Sequence, residues 1–217
     1  MSNDVLDNNH LVVDLETLGR SDDAAVISVG LACGWWDKGE FATESVEFYP
    51  GLDAQQEAGL GKVDESTVAW WLKQDEDARL AAADALEDEN AYNLPDLFVA
   101  IQAFLFRCRG KAGGEGAKWF SDLRVWGNSP QFDLGKLVAM EEAARKIERR
   151  QRIFPVLGND HTLLNSWHVR DYRTYRKALE SLLPDDFMPF KPPVKHSAAA
   201  DALAELRNII YMAQEIK

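Results

Sequence analysis

The sequence predicts an α/β fold, a mixed sheet with helices packed on its faces. Three observations predict it. Segments 10–15, 25–33 and "ESVEFYP" (44–50) read as three successive strands, the last closed by Pro50-Gly51, so the chain opens as an antiparallel meander. From residue 94 onward, helix-like and strand-like stretches alternate, the pattern of helices laid on a sheet. At 217 residues with 46% hydrophobic content, the chain can bury a full core, and a single domain over 1–217, with its core at about 10–215, is expected.

The other elements follow in order. "DESTVAWWLKQ" (64–74) predicts a short helix entered through the caps Asp64 to Thr67, and "LPDLFVAIQAFLFRCRG" (94–110) a longer one ended by Gly110. "GKAGGEGAK" (110–118) is a loop, and it lacks both the GxxxxGK[ST] order and a preceding strand, which argues against an ATP phosphate loop. "LRVWGN" (123–128) reads as a strand. Residues 133–150 read as an amphipathic helix with Leu134, Leu137, Val138, Ala144 and Ile147 on one side. A helix is expected near 172–183. The chain closes on a helix in which Ala202, Leu203, Leu206, Ile209, Ile210, Ala213 and Ile216 keep helical spacing.

Charge is segregated along the chain. Residues 1–106 carry 5 Lys/Arg against 22 Asp/Glu and residues 107–217 carry 19 against 14, so the net −12 divides into −17 and +5. The basic runs at 145–152, 170–177 and 191–195 fit either one wall of a groove or solvated helix faces. The polar, acidic opening "MSNDVLDNNH" resembles neither a secretory leader nor a transit peptide. The most apolar stretch, "AAVISVGLACGWW", is shorter than the ~18–20 residues a bilayer requires, so no membrane association and a soluble, cytoplasmic protein are expected. Cys33 and Cys108 lack metal-ligand spacing and read as small core residues of a reducing compartment. His161 and His168 lack the partners of a zinc site.

"VVDLETLG" (12–19) sets Asp14 and Glu16 in an otherwise apolar strand. Residues i and i+2 project from one face, roughly 6–7 Å apart, while Val13 and Leu15 face the other way. Two carboxylates this close repel unless a cation neutralises them, and a divalent metal does so. Taken alone, the pair also fits the solvent-facing side of an amphipathic strand. Asp133 follows the strand and turn "VWGNSPQFD", where ligands of open α/β sheets bind, and alone it fits a helix N-cap equally well. His196 lies five residues before Asp201, just ahead of the last helix, as a candidate base or a structural histidine.

Together, Asp14-x-Glu16, Asn128-x4-Asp133 with Phe132, and His196-x4-Asp201 resemble, in order, the three motifs of the DEDDh 3'-to-5' exonucleases. "VDLETLG", Trp70-Trp71 and "RDYRT" are most similar to the branch of RNase AS, phage exonuclease A and exodeoxyribonuclease VIII-like enzymes. The resemblance implies an RNase H-like mixed sheet with helices on both faces, and hydrolysis of single-stranded DNA or RNA from a free 3' end to nucleoside 5'-monophosphates. It implies two divalent ions, Mg²⁺ or Mn²⁺, held by Asp14, Glu16, Asp133 and Asp201, with His196 as general base. A bacterial or phage source and a homodimer fit the same resemblance.

It also implies that Thr17 and Leu18 contact the terminal nucleotide and that Asn128 belongs to the substrate site. Trp70 and Trp71, about 100° apart on a helix, fit either two core residues or one core residue and one that stacks on a base, with Trp70 the candidate for stacking. Asp171 and Arg173 either orient a phosphate or form a helix-start ion pair. Two other functions stay open: a metal hydrolase of small nucleotides or dinucleotides, and an acidic, non-catalytic mimic of nucleic acid.

Overall fold

The computed structural model describes residues 5–114, 119–120, 122–148, 168–193 and 196–216. The expected parts of the basic runs beyond Glu148, together with His161 and Lys195, lie outside the described residues. Strands β1 (Asn9–Thr17), β2 (Val26–Asp37) and β3 (Glu40–Phe48) form the meander. Lys38 and Gly39 both take positive φ, 51° and 90°, so a two-residue turn joins β2 to β3 and extends the hairpin beyond its sequence expectation.

Helices α1 (Leu52–Glu57), α2 (Glu65–Trp71), α3 (Glu76–Leu86) and α4 (Leu94–Lys111) follow. Next come β4 (Leu123–Gly127), α5 (Pro130–Glu148), β5 (Val169–Asp171), α6 (Tyr172–Leu179) and α7 (Ala198–Glu215). The sheet order is β3-β2-β1-β4-β5, with β1 antiparallel to β2, β2 antiparallel to β3, and parallel pairs β1–β4 and β4–β5. The α/β class, the mixed sheet and helices on both faces are as expected, and the arrangement is consistent with an RNase H-like fold.

Side-chain alternation assigns the faces. On β1, Leu11, Val13 and Leu15 enter the larger core with Val29, Leu31, Cys33 and Trp35 of β2, covered by α4 and α5. Cys33 and Cys108 are buried there, their thiols in contact, and the Cys108 hydrogen bond together with burial holds the Cys33 thiol up. The opposite parity, Val12, Ala32 and Trp126, packs beneath α7 and α6. A third cluster of Leu18, Ala25, Ile27, Trp71, Ala78 and Ala85 pins α2 and α3 to one end of the sheet. Among the described residues no helix is long and apolar enough to cross a membrane.

Helix α7 sits unusually close to β2. A Cβ on Gly30 would fall 2.0 Å from the Ala198 carbonyl carbon and 2.3 Å from the Ala199 nitrogen. The helix start is held from across the sheet by Glu47 of β3, which accepts from Ser197 Oγ at 2.8 Å and from the Ala198 amide at 3.1 Å. A carboxylate there satisfies an orphan amide and complements the helix dipole. Glu47→Ala is therefore expected to lower unfolding free energy by about 1–2 kcal/mol. Urea denaturation checks this, and an unchanged midpoint would contradict it.

Candidate active site

Strand parity points Asp14 and Glu16 toward α7, opposite Gly30 and Ser28 of β2. The pairing shifts register between Glu16 and Thr17, a bulge of the kind that re-aims side chains beside active sites. Because Gly30 admits the helix start, Asp201 in the first turn of α7 reaches the pair. Carboxylate oxygens of Asp14, Glu16 and Asp201 lie within 4.8 Å of one another.

His196 precedes the α7 N-cap Ser197 with a left-handed φ of 61°. Its Nδ1 is 3.8 Å from Glu16 Oε1. The ring meets Trp70 and Trp71 in edge contacts at 5.1 and 5.6 Å. Trp71 is buried and its indole N–H donates to the Thr17 carbonyl at 2.9 Å, which ties α2 to the end of β1. Its neighbour Trp70 is 44% exposed. The division of the two indoles between core and surface follows from their angular separation on the helix.

Asp133 lies in the first turn of α5, which starts earlier than expected, at Pro130, a residue suited to a helix start. Its Oδ2 turns back to accept from the Ser129 amide at 3.4 Å, in space left by Gly127. Glu205, one turn after Asp201 on α7, also faces this site, and sequence reasoning passed over it. A glutamate inside an amphipathic helix reads as part of the solvated face. Here it is only 8% exposed, and its Oε2 has no hydrogen-bond partner.

Crowding and burial set the electrostatics. Burial pushes Asp14 well above the usual carboxylate range, with Glu16, Glu205, Asp133 and Asp201 adding to the rise. Burial with Asp201, Glu47 and Asp133 raises Glu16 to about 8. Burial with Asp133 and Asp201 raises Glu205 to about 8, opposed by Arg173. Asp133 rises to about 6 through burial, and Asp201 rises through burial while His196 opposes it. Such a donor set fits a hard divalent cation, which neutralises carboxylates that otherwise repel.

A pH dependence follows. Between 4.5 and about 8 the folded chain keeps protons on Glu16 and Glu205 that the unfolded chain has released. The folded state binds more protons in that window, so its stability falls as pH rises. The melting temperature in EDTA is expected to decline across this window, and saturating Mn²⁺ to offset the decline. Scanning fluorimetry reads both; a rise with pH in EDTA would refute the assignment.

Among the described residues, a small cavity of about 140 Å³ lies between Glu16, Glu47 and His196, and two roomier ones flank the carboxylates. One, of about 390 Å³, is lined by Leu15, Glu16, Thr17, Trp70, Trp71 and Phe132. Thr17 is buried and its hydroxyl donates to the Gly19 carbonyl at 2.9 Å, while Leu18 packs in the cluster around Trp71 and does not line this cavity. The other, of about 450 Å³, is bounded by Asn128, Arg173, Arg176, Lys191, Asp201 and Glu205. Asp171 caps α6, accepting from the Thr174 amide at 2.8 Å. The structure thus gathers Asp14, Glu16, Asp201 and His196 tightly, with Asp133 beside them. It sets Trp70 and Thr17 on one side and Asn128 and Arg173 on the other, and gives Leu18 and Asp171 structural partners.

A family model described as the 3'-5' exoribonuclease Rv2179c-like domain matches residues 9–212. No curated protein gives a match. The matched span runs from the first residue of β1 into the last turns of α7 and takes in His196 and every carboxylate of the site. This chain belongs to the Rv2179c-like family of 3'-5' exoribonuclease domains, nucleases whose substrate is nucleic acid.

Proposed function

We propose that this chain removes nucleoside 5'-monophosphates one at a time from the 3' end of single-stranded RNA, with DNA as a slower substrate. The observation that carries the reading is the Asp14, Glu16 and Asp201 triad, with oxygens within 4.8 Å, and the His196 ring beside it. Asp14 would bridge two divalent ions, Mg²⁺ or Mn²⁺, with Glu16 and Asp201 completing one site and Asp133 supporting the other. Bound there, the ions would activate water and neutralise charge on the attacking and leaving oxygens.

The protein's own groups have separate tasks. His196 takes the proton of the attacking water, its ring held in place by the edges of Trp70 and Trp71. The cavity walled by Trp70 and Phe132 supports a site for the terminal base, with Trp70 as the stacking surface. The groove bearing Arg173, Arg176 and Lys191 supports a path for the phosphates on the 5' side, where each cation offsets one backbone charge. An aromatic cavity on one side and a cationic groove on the other fit a chain entering by its end. The family's exoribonuclease description favours RNA over DNA.

The test uses short 5'-labelled single-stranded RNA and DNA and a dinucleotide, with Mn²⁺ or Mg²⁺, and EDTA as control. A ladder shortening stepwise from the 3' end, faster for RNA and absent in EDTA, is expected. His196→Ala is expected to slow cleavage by ~10²–10⁴-fold, the usual contribution of a positioned general base. Cleavage of the dinucleotide alone would replace the reading with a small-nucleotide hydrolase, and intact substrates throughout would overturn it.

A further inference from the structure

Helix α7 runs antiparallel to β1 across the site. Its first residue, Ala198, lies against Gly30, the partner of Asp14, while Leu206 reaches Gly34, the partner of His10. One turn from Asp201 to Glu205 therefore moves along β1 past Asp14 and away from Glu16. Electrostatically, Asp133 reaches both Asp14 and Glu16, while Glu205 is among the groups that act on Asp14 and not among those that raise Glu16.

The group formed by Asp14, Glu16 and Asp201 is compact enough to surround one ion. Asp133 and Glu205 lie outside it, each within electrostatic reach of Asp14 and of the other. With Asp14 and Asp133 alone, a second ion would have two carboxylates. Mg²⁺ and Mn²⁺ favour about six oxygen ligands. Glu205 is almost fully buried, and its Oε2 has neither a donor nor water-facing surface. Leaving a carboxylate oxygen buried without a partner is costly, and the cost is relieved if a cation is the partner.

We infer that Glu205 is a further metal-ligating residue, serving with Asp133 the ion on the side of Asp14 away from Glu16. This rests on the two-ion reading above. Glu205 gives that ion a ligand from the same helix that carries Asp201, so α7 contributes one carboxylate to each ion. The neighbouring Arg173 opposes its charge without making a hydrogen bond that satisfies Oε2.

Binding of Mn²⁺ to the full-length protein, without substrate, tests the assignment by calorimetry and electron paramagnetic resonance. The wild type is expected to bind two ions per chain and to give the spectrum of a coupled pair. Glu205→Gln, which keeps the side chain's shape, is expected to weaken one of the two sites by about 10–100-fold and leave the six-line spectrum of an isolated ion. Glu205→Asp, a shortened carboxylate, is expected to fall between them. In EDTA, Glu205→Gln should melt no lower than the wild type, because the amide keeps the side chain's shape and has no ionised form for burial to oppose. A wild-type coupled pair retained unchanged in both variants would overturn the inference. A role confined to Arg173 predicts a lower melting temperature with Mn²⁺ binding intact, which overturns it too. Failure of the wild type to hold a pair would instead defeat the two-ion reading itself.

Discussion

Asp14→Asn is expected to abolish 3'-end hydrolysis and, in EDTA, to raise the melting temperature. Both effects come from one carboxylate. Burial together with Glu16, Glu205, Asp133 and Asp201 holds the Asp14 carboxyl well up, so ionising it works against the folded state. Asparagine keeps the shape and removes the charge. The neutral variant should therefore gain about 2–8 °C in the metal-free state, corresponding to roughly 1–2 kcal/mol in a chain of this size. On the proposed mechanism it would lose the carboxylate that holds the ions, and the rate should fall by at least ~10³-fold, the upper range for deleting one electrostatic partner of a transition state. Stabilisation by Mn²⁺ should largely disappear. Fluorimetry with and without EDTA, beside the gel assay, separates the outcomes, and a variant that melts lower in EDTA or still cleaves would refute this account.

Among the described glycines, Gly30→Ala should be the most disruptive single methyl. The added Cβ would overlap the backbone of Ala198 at 2.0 Å, and backbone at a capped helix start has no side-chain freedom with which to give way. Either β2 or α7 must move. Overpacking of this kind costs about 1–3 kcal/mol or more. The loss of activity should be disproportionate, because α7 carries Asp201 and follows directly on His196. A displacement of ~1 Å at a reacting group costs on the order of 10²-fold. The variant is expected to fold, melt several degrees lower, and lose at least ~10²-fold in kcat/KM. Wild-type activity in Gly30→Ala would mean that the tight seam has no part in aligning the site.

What was legible in the sequence was local. "HLVVDLE" displays its own alternation, so the face shared by Asp14 and Glu16 can be read from period two. The angle between Trp70 and Trp71 is likewise a property of one helical turn. What escaped was created by contacts between distant segments. Glu47 gains its meaning from Ser197, Gly30 from Ala198, and Glu205 from the close seat of α7, none of which leaves a nearby pattern. Helix α3 escaped for another reason: "EDARLAAADAL" is alanine and acid with little apolar periodicity, and it is held by Ala78 and Ala85 against a small cluster. Strand β5 has three residues and is defined by pairing with β4 alone. Leu18, expected at the terminal base, lies beyond the bulge that follows Glu16, where the strand's simple alternation no longer holds.

The parity of β1 has a consequence for how this protein can change. Leu11, Val13 and Leu15 belong to the large core, and Asp14 and Glu16 to the site. Positions 11, 13 and 15 carry the large core, and on the other side Val12 belongs to the second core while 14 and 16 carry the chemistry, within one strand. The two can therefore drift almost independently: a lineage, or a designed library, can repack 11 and 13 for heat tolerance while 14 and 16 keep the reaction, and the reverse. Strand β1 works as a two-sided template in which robustness and innovation are written on opposite sides.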